Sequence, residues 1–153
     1  MEIVSAATPE HVGIVRQLFE EYWQSFGFTP CFQNFGAEVA GLPGYYAPPG
    51  GRLALARSGG EAAGCIALRR LDDTRAEAKR LYVRPHYRGH GTGLALLEWA
   101  IAEARAAGYR EMVGDTMPVM QRALAMYDRL GFERTGPYSA DATPGAIYIR
   151  LVL

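Results

Sequence analysis

The chain has 153 residues, with 16 basic and 16 acidic side chains and 49% hydrophobic residues. It is the size of one domain, long enough to bury a core without a metal or a disulfide, and its balanced charge, with no basic run, offers no footprint for nucleic acid. Cys31 and Cys65 lack metal-ligand spacing, the N-terminus lacks the pattern of a signal peptide and no apolar run approaches the ~20 residues of a membrane span, so a cytoplasmic domain over residues 1–153, without metal, membrane or nucleic-acid partner, is expected.

In chain order, Glu2 to Ala6 reads as a strand. Thr8-Pro9-Glu10 supplies an N-cap, a first-turn proline and an early acid. Val12, Val15, Leu18, Phe19, Tyr22 and Phe26 then recur at helical spacing, which predicts a helix over 9–26. Asn34 to Ala40 fits a short helix. Leu42 to Gly51, with three prolines and three glycines, is an aromatic loop. Arg52 to Arg57, Ala62 to Leu71 and Ala76 to Val83 read as strands joined by the short turns Ser58-Gly59-Gly60-Glu61 and Asp72-Asp73-Thr74, hence antiparallel. Gly91 to Ala107 is the main helix, with Leu94, Leu97, Ile101 and Ala104 on one face and Gly108 at its end. Arg110 to Asp115 is a strand reached through that helix, hence parallel to the one before it. A second helix over 118–130 and strands at 132–135 and 146–153 follow. Strands first, then a strand-helix-strand unit and an antiparallel finish, make an α+β fold: a mixed, largely antiparallel sheet flanked by helices on both faces.

The turn Arg88-Gly89-His90-Gly91-Thr92-Gly93 joins the strand ending at Val83 to the main helix. The first N–H groups of a helix have no partner within it, and the helix dipole places positive charge there. Glycines let an oxygen-bearing ligand approach the backbone, so a phosphate or pyrophosphate is the natural guest. The dinucleotide fingerprint is excluded, because Leu94 and Ala95 follow Gly93. The P-loop is excluded too, since the only lysine, Lys79, lies before the turn.

The remaining pattern, Arg88-x-x-Gly91-x-Gly93, resembles the acetyl-CoA signature of the GNAT superfamily of N-acyltransferases. Ala123 to Phe132, ending Tyr127-x-x-x-Gly131-Phe132, is similar to a later segment of the same family and begins thirty residues after Gly93. The resemblance covers about residues 52 to 138. It implies acetyl-CoA as co-substrate and transfer of its acetyl group to an amine. It also implies a sheet splayed beside the long helix, where the cofactor enters; dimerisation is a habit of the family.

Carried over residue by residue, the resemblance implies that N–H groups of Gly89, His90, Gly91, Thr92 and Gly93 hold the pyrophosphate, with Arg88 adding charge or bracing the loop. It implies that the backbone of Leu81, Tyr82 and Val83 pairs with the pantetheine arm, the Leu81 N–H polarising the acetyl carbonyl. Tyr127 is implied as the group that protonates the departing thiolate, and it reads equally as a core tyrosine. The family often has an asparagine seven residues before this tyrosine; Met120 stands there instead, with Gln121 as a substitute.

Glu77 stands eleven positions before Arg88, the offset of a catalytic glutamate in histone-type members. By period-two alternation Glu77, Lys79 and Leu81 share a face, and the glutamate lies ~13 Å along the strand from the Leu81 N–H. It then acts through water unless the strand bulges. Glu77 reads equally as a strand charge paired with Lys79, Arg80 or Arg70, or as a substrate anchor. Asp115 reads as a ligand for the acceptor ammonium, as a second base, or as the cap of Asp115-Thr116-Met117-Pro118. The acceptor pocket falls to the variable parts: Phe26, Phe32, Tyr45, Tyr46, Glu38 and Tyr138. A small-molecule or peptide amine suits such an aromatic pocket. A module that binds acyl-CoA without transferring it, and an interaction domain with an empty turn, remain as alternatives.

Overall fold

Small and branched apolar residues between glycine or aspartate turns build one seven-stranded sheet among the described residues, in the order β1-β2-β3-β4-β5-β7-β6. A computed structural model describes residues 1–25, 35–138 and 144–153. The elements are β1 (Glu2–Ser5), α1 (Pro9–Ser25), α2 (Phe35–Ala40), a 3-10 turn (Gly44–Tyr46), β2 (Arg52–Ser58), β3 (Glu61–Arg70), β4 (Arg75–Val83), a second 3-10 turn (Pro85–Tyr87), α3 (Thr92–Ala106), β5 (Glu111–Thr116), α4 (Gln121–Arg129), β6 (Glu133–Thr135) and β7 (Ile147–Val152). Only β4 and β5 pair in parallel; the other neighbours are antiparallel. The fold is the expected α+β arrangement.

Two cores sandwich the sheet. On one face Leu96, Leu97, Ala100, Ile101 and Ala104 of α3 and Tyr127 of α4 pack on Ala54, Ile66, Ala76, Ala78, Met112 and Ile149. On the other, Val12, Val15, Leu18 and Phe19 of α1 and Val39 of α2 pack on Leu53, Leu55, Cys65, Ala67 and Tyr82. Leu94 is half-buried and outside the first core, where Leu96 and Ala100 fill the face expected of it.

Two local departures position the site. A bulge interrupts β4: Lys79 pairs with Ala67 and Tyr82 with Cys65, so three steps on β4 match two on β3. Arg80 sits there at φ 59°, the one non-glycine residue with positive φ among the described residues. The alternation slips by one, so Leu81 faces the α3 core while Glu77 and Lys79 face α1, which corrects the shared face expected of the three. The second departure is at α4, which starts at Gln121 rather than 118. Met117 to Met120 close a turn first (Met120 N–H to Met117 carbonyl, 2.9 Å), and no side chain caps the helix. Asp115 therefore is not the cap.

Candidate active site

The parallel ladder between β4 and β5 is short. Arg75, Ala76 and Glu77 pair with Glu111, Met112 and Val113, and there the ladder ends. Beyond it β4 continues to Val83 and β5 turns to β7, its pairing with that strand running on to Thr116. The two strands part, which is the expected splay, and β4 from Lys79 onward has an edge unpaired with β5.

The glycine turn lies at the far end of this opening. Gly89 and Gly91 both adopt φ 82°, and Gly91 caps α3 without any side-chain hydrogen bond. A Cβ at either would meet no atom within 4 Å, so the concave side of the turn is open. Gly93 lies against α4, where a Cβ would stand 3.2 Å from the Met126 thioether. Arg88 braces the turn: its Nε donates to the Val83 carbonyl at 2.9 Å and its guanidinium lies 6.0 Å from the Tyr82 ring centroid. His90 is exposed, and Thr92 is buried at the first position of the helix.

The face of the sheet toward α1 and α2 carries charge. Glu77, 3% exposed, accepts from Arg69 Nε at 2.6 Å and from the Tyr138 hydroxyl at 2.6 Å. Its ion pair is thus with Arg69, across the β3–β4 ladder, and not with Lys79, Arg80 or Arg70. Arg80 at the bulge is held by both oxygens of Glu38 of α2, at 2.9 and 3.0 Å, and lies 5.5 Å from the Phe35 ring. Burial pushes the Lys79 amine down, against the pull of Glu77. Burial likewise pushes the Asp115 carboxyl up, against Lys79. Tyr148 stands opposite Asp115 in the β5–β7 ladder and meets the Tyr138 ring edge-on at 5.5 Å.

Tyr127 comes from the opposite face. Its ring is buried and packs edge-on against Phe132 at 5.2 Å. Burial pushes its hydroxyl well above the ordinary tyrosine value, with Tyr22 and Asp115 adding to the effect. Burial pushes Tyr22, on α1, up to about 12, with Arg80 opposing and Asp115 adding. Tyr22 and Tyr127 belong to helices on opposite faces of the sheet.

The structure therefore brings Glu77, Asp115 and Tyr127 to one opening, with Leu81, Tyr82 and Val83 on its β4 bank and the turn from Arg88 to Gly93 at its end. The aromatic loop does not form a single wall. Tyr45 is 72% exposed, whereas Tyr46 is 1% exposed and packs edge-on against Phe19 at 6.0 Å. Phe26, Cys31 and Phe32 lie outside the described residues. Sequence reasoning missed Arg69, Tyr22 and Lys79; the one available signal was that Lys79 is the chain's single lysine. Among the described residues no group of three or more His, Cys, Asp or Glu is placed to hold a metal, and no helix is long and apolar enough to cross a membrane.

Comparison with known proteins agrees with this geometry. The acetyltransferase (GNAT) family model matches residues 14–132. An uncharacterized N-acetyltransferase of Schizosaccharomyces pombe is 35% identical over 153 residues, covering 99% of this chain and 94% of the relative. Among solved structures, an acetyltransferase from Streptococcus agalactiae superposes with a TM-score of 0.80 at 22% identity, covering 99% of this chain and 98% of the other. A Salmonella typhimurium structure solved with its cofactor acetyl-CoA superposes with a TM-score of 0.76 at 20% identity, covering 99% and 93%.

Proposed function

Because the chain belongs to the acetyltransferase (GNAT) family, we propose that it transfers the acetyl group of acetyl-CoA directly to a primary amine of a small-molecule or amino-acid-like acceptor, in a ternary complex. The observation that carries this reading is the opening between β4 and β5, which joins an open glycine turn at one end to a buried, charged face beside it.

Acetyl-CoA supplies an activated acetyl thioester. N–H groups from Gly89 to Gly93 hold the pyrophosphate at the start of α3, where the helix dipole favours it. The free edge of Leu81, Tyr82 and Val83 pairs with the amides of the pantetheine arm, and the Leu81 N–H, just past the bulge, polarises the carbonyl. An ammonium is no nucleophile, so the acceptor must lose a proton. Asp115, on the β5 bank, binds that ammonium, and burial raises its carboxyl above the ordinary carboxylate value. Glu77, fixed by Arg69 and Tyr138, holds negative charge on the same face and receives the proton through water. Burial keeps Tyr127 neutral, so its O–H is always present to hydrogen-bond the departing sulfur.

Thiol release in the presence of acetyl-CoA and a panel of primary amines tests this reading. CoA is expected to be released only when both substrates are present. Tight acetyl-CoA binding with no release on any amine contradicts catalysis and favours an acyl-CoA-binding module.

A further inference from the structure

The charges on the acceptor face do not all neutralise one another. Arg69 pairs with Glu77 and Arg80 with Glu38, but Lys79 and Asp115 form no ion pair within 4.0 Å among the described residues. Both are half-buried. The ladder pairs Glu77 with Val113 and ends. Two residues further along each strand, and on the same face by alternation, come Lys79 and Asp115. A cation therefore stands on one bank of the opening and an anion on the other. Burial pushes each toward its neutral form. The surrounding acids and cations, Glu77, Glu38, Arg69 and Arg80, are engaged with one another.

A single small molecule satisfies both banks if it carries both charges. We propose that Lys79 and Asp115 select an amino acid as the acceptor, Asp115 taking its ammonium and Lys79 its carboxylate. This rests on the acetyl transfer proposed above and adds the substrate class and a carboxylate anchor. An ammonium on a flexible four-carbon stem suits that task, because it reaches out as a point charge without a fixed fork geometry. The nucleophilic nitrogen is then held on the β5 bank, across the opening from the Leu81 backbone. The acetyl carbon gains the bond to nitrogen and loses its bond to sulfur. The ammonium first loses one proton through water to Glu77, the second nitrogen proton passes to Asp115 as the new bond forms, and CoA leaves as the thiolate, hydrogen-bonded by Tyr127.

The test uses amino acids, their amides and their decarboxylated amines as acceptors for the wild-type protein, Lys79→Met and Lys79→Arg. Turnover is read by CoA release, and acceptor binding by the melting-temperature shift in the presence of CoA, which needs no chemistry. The wild type is expected to favour the free acids over both analogues by tenfold or more in kcat/KM, mostly through KM. In Lys79→Met that ratio falls toward one, and Lys79→Arg restores part of it. A wild type that acetylates the decarboxylated amines as well as the acids overturns the proposal, as does a preference that survives in Lys79→Met. The wild-type comparison alone decides if the variants do not fold. A calorimetric titration with acetyl-CoA separates the two layers: absent binding removes the acetyl-transfer reading, whereas binding and transfer without acid preference removes only this one. If acetyl-CoA binds but nothing is acetylated, melting shifts with amino acids and none with the decarboxylated amines support the anchor; equal shifts overturn it.

Discussion

Burial turns Glu77 into a fixed charge, with both oxygens held and little freedom to move. Glu77→Gln leaves Arg69 without its counter-charge. Breaking a fully buried pair costs ~3–5 kcal/mol, but the Arg69 side chain keeps 28% exposure, so a loss of about 2 kcal/mol in urea denaturation is expected. No loss would mean that water replaces the pair without penalty. Asp115 works in the opposite sense. A carboxyl raised in the folded state adds stability below its unfolded value of 3.8 and loses it as pH rises through the folded value. At neutral pH its charge therefore weighs against the fold. Asp115→Asn should raise the melting temperature at about pH 7.5, by roughly 2–4 °C per kcal/mol recovered, with the gain fading toward about pH 4. An unchanged or lowered melting temperature at neutral pH contradicts this. Tyr127→Phe keeps the packed ring and removes only the hydroxyl, so kcat should fall by about 10²-fold with little change in acetyl-CoA affinity. Steady-state kinetics with a binding titration reads both, and an unaltered kcat excludes the hydroxyl from the reaction. Glu77, Asp115, Tyr127 and the glycine turn were all legible as residues of interest. Arg69 and Tyr138 as partners of Glu77 were not, because those contacts join positions 8 and 61 apart, which no local pattern encodes.

The bulge in β4 is the element on which the site turns. One extra residue rotates everything after it, sending Leu81 to the α3 face while Lys79 keeps the face toward α1 and α2. Arg80 in a left-handed conformation is unfavourable by about 1–2 kcal/mol for a residue with a Cβ. The bidentate grip of Glu38 holds it there and ties α2 to the strand. Glu38→Gln removes the carboxylate paired with a buried guanidinium and should destabilise by about 3 kcal/mol, with Arg80→Met in the double mutant recovering a large part. Additive losses would mean that the two residues do not act as a pair. Element types and bounds followed from periodicity and turn residues, within a residue or two at most strands. The bulge did not, since Ala76 to Val83 reads as an unbroken strand and only the distant Glu38 and β3 register reveal the slip. The late start of α4 escaped for a similar reason: Pro118 signals a helix start, yet the chain uses it in a turn.

At the scale of the molecule, the sheet separates two helical layers, and its β4–β5 ladder ends at Glu77 and Val113. The order of strands and helices was enough to fix an α+β sheet covered on both faces, because short turns force antiparallel neighbours and a helical crossover forces a parallel pair. The parting of β4 from β5 came from family resemblance and is borne out by a ladder that stops at Glu77 and Val113. The acceptor side was less legible: its aromatic loop divides, Tyr46 entering the core and Tyr45 facing solvent. Loop composition does not say which of two adjacent rings turns inward. The central claim is that the opening and its glycine turn bind acetyl-CoA, and a melting-temperature titration with acetyl-CoA alongside free pantetheine tests it most directly. Ligand at a hundred times its dissociation constant adds about 2.7 kcal/mol, so a rise of roughly 5–10 °C with acetyl-CoA and a much smaller one with pantetheine is predicted. No shift with millimolar acetyl-CoA, or an equal shift with pantetheine, would contradict a pyrophosphate site at the start of α3.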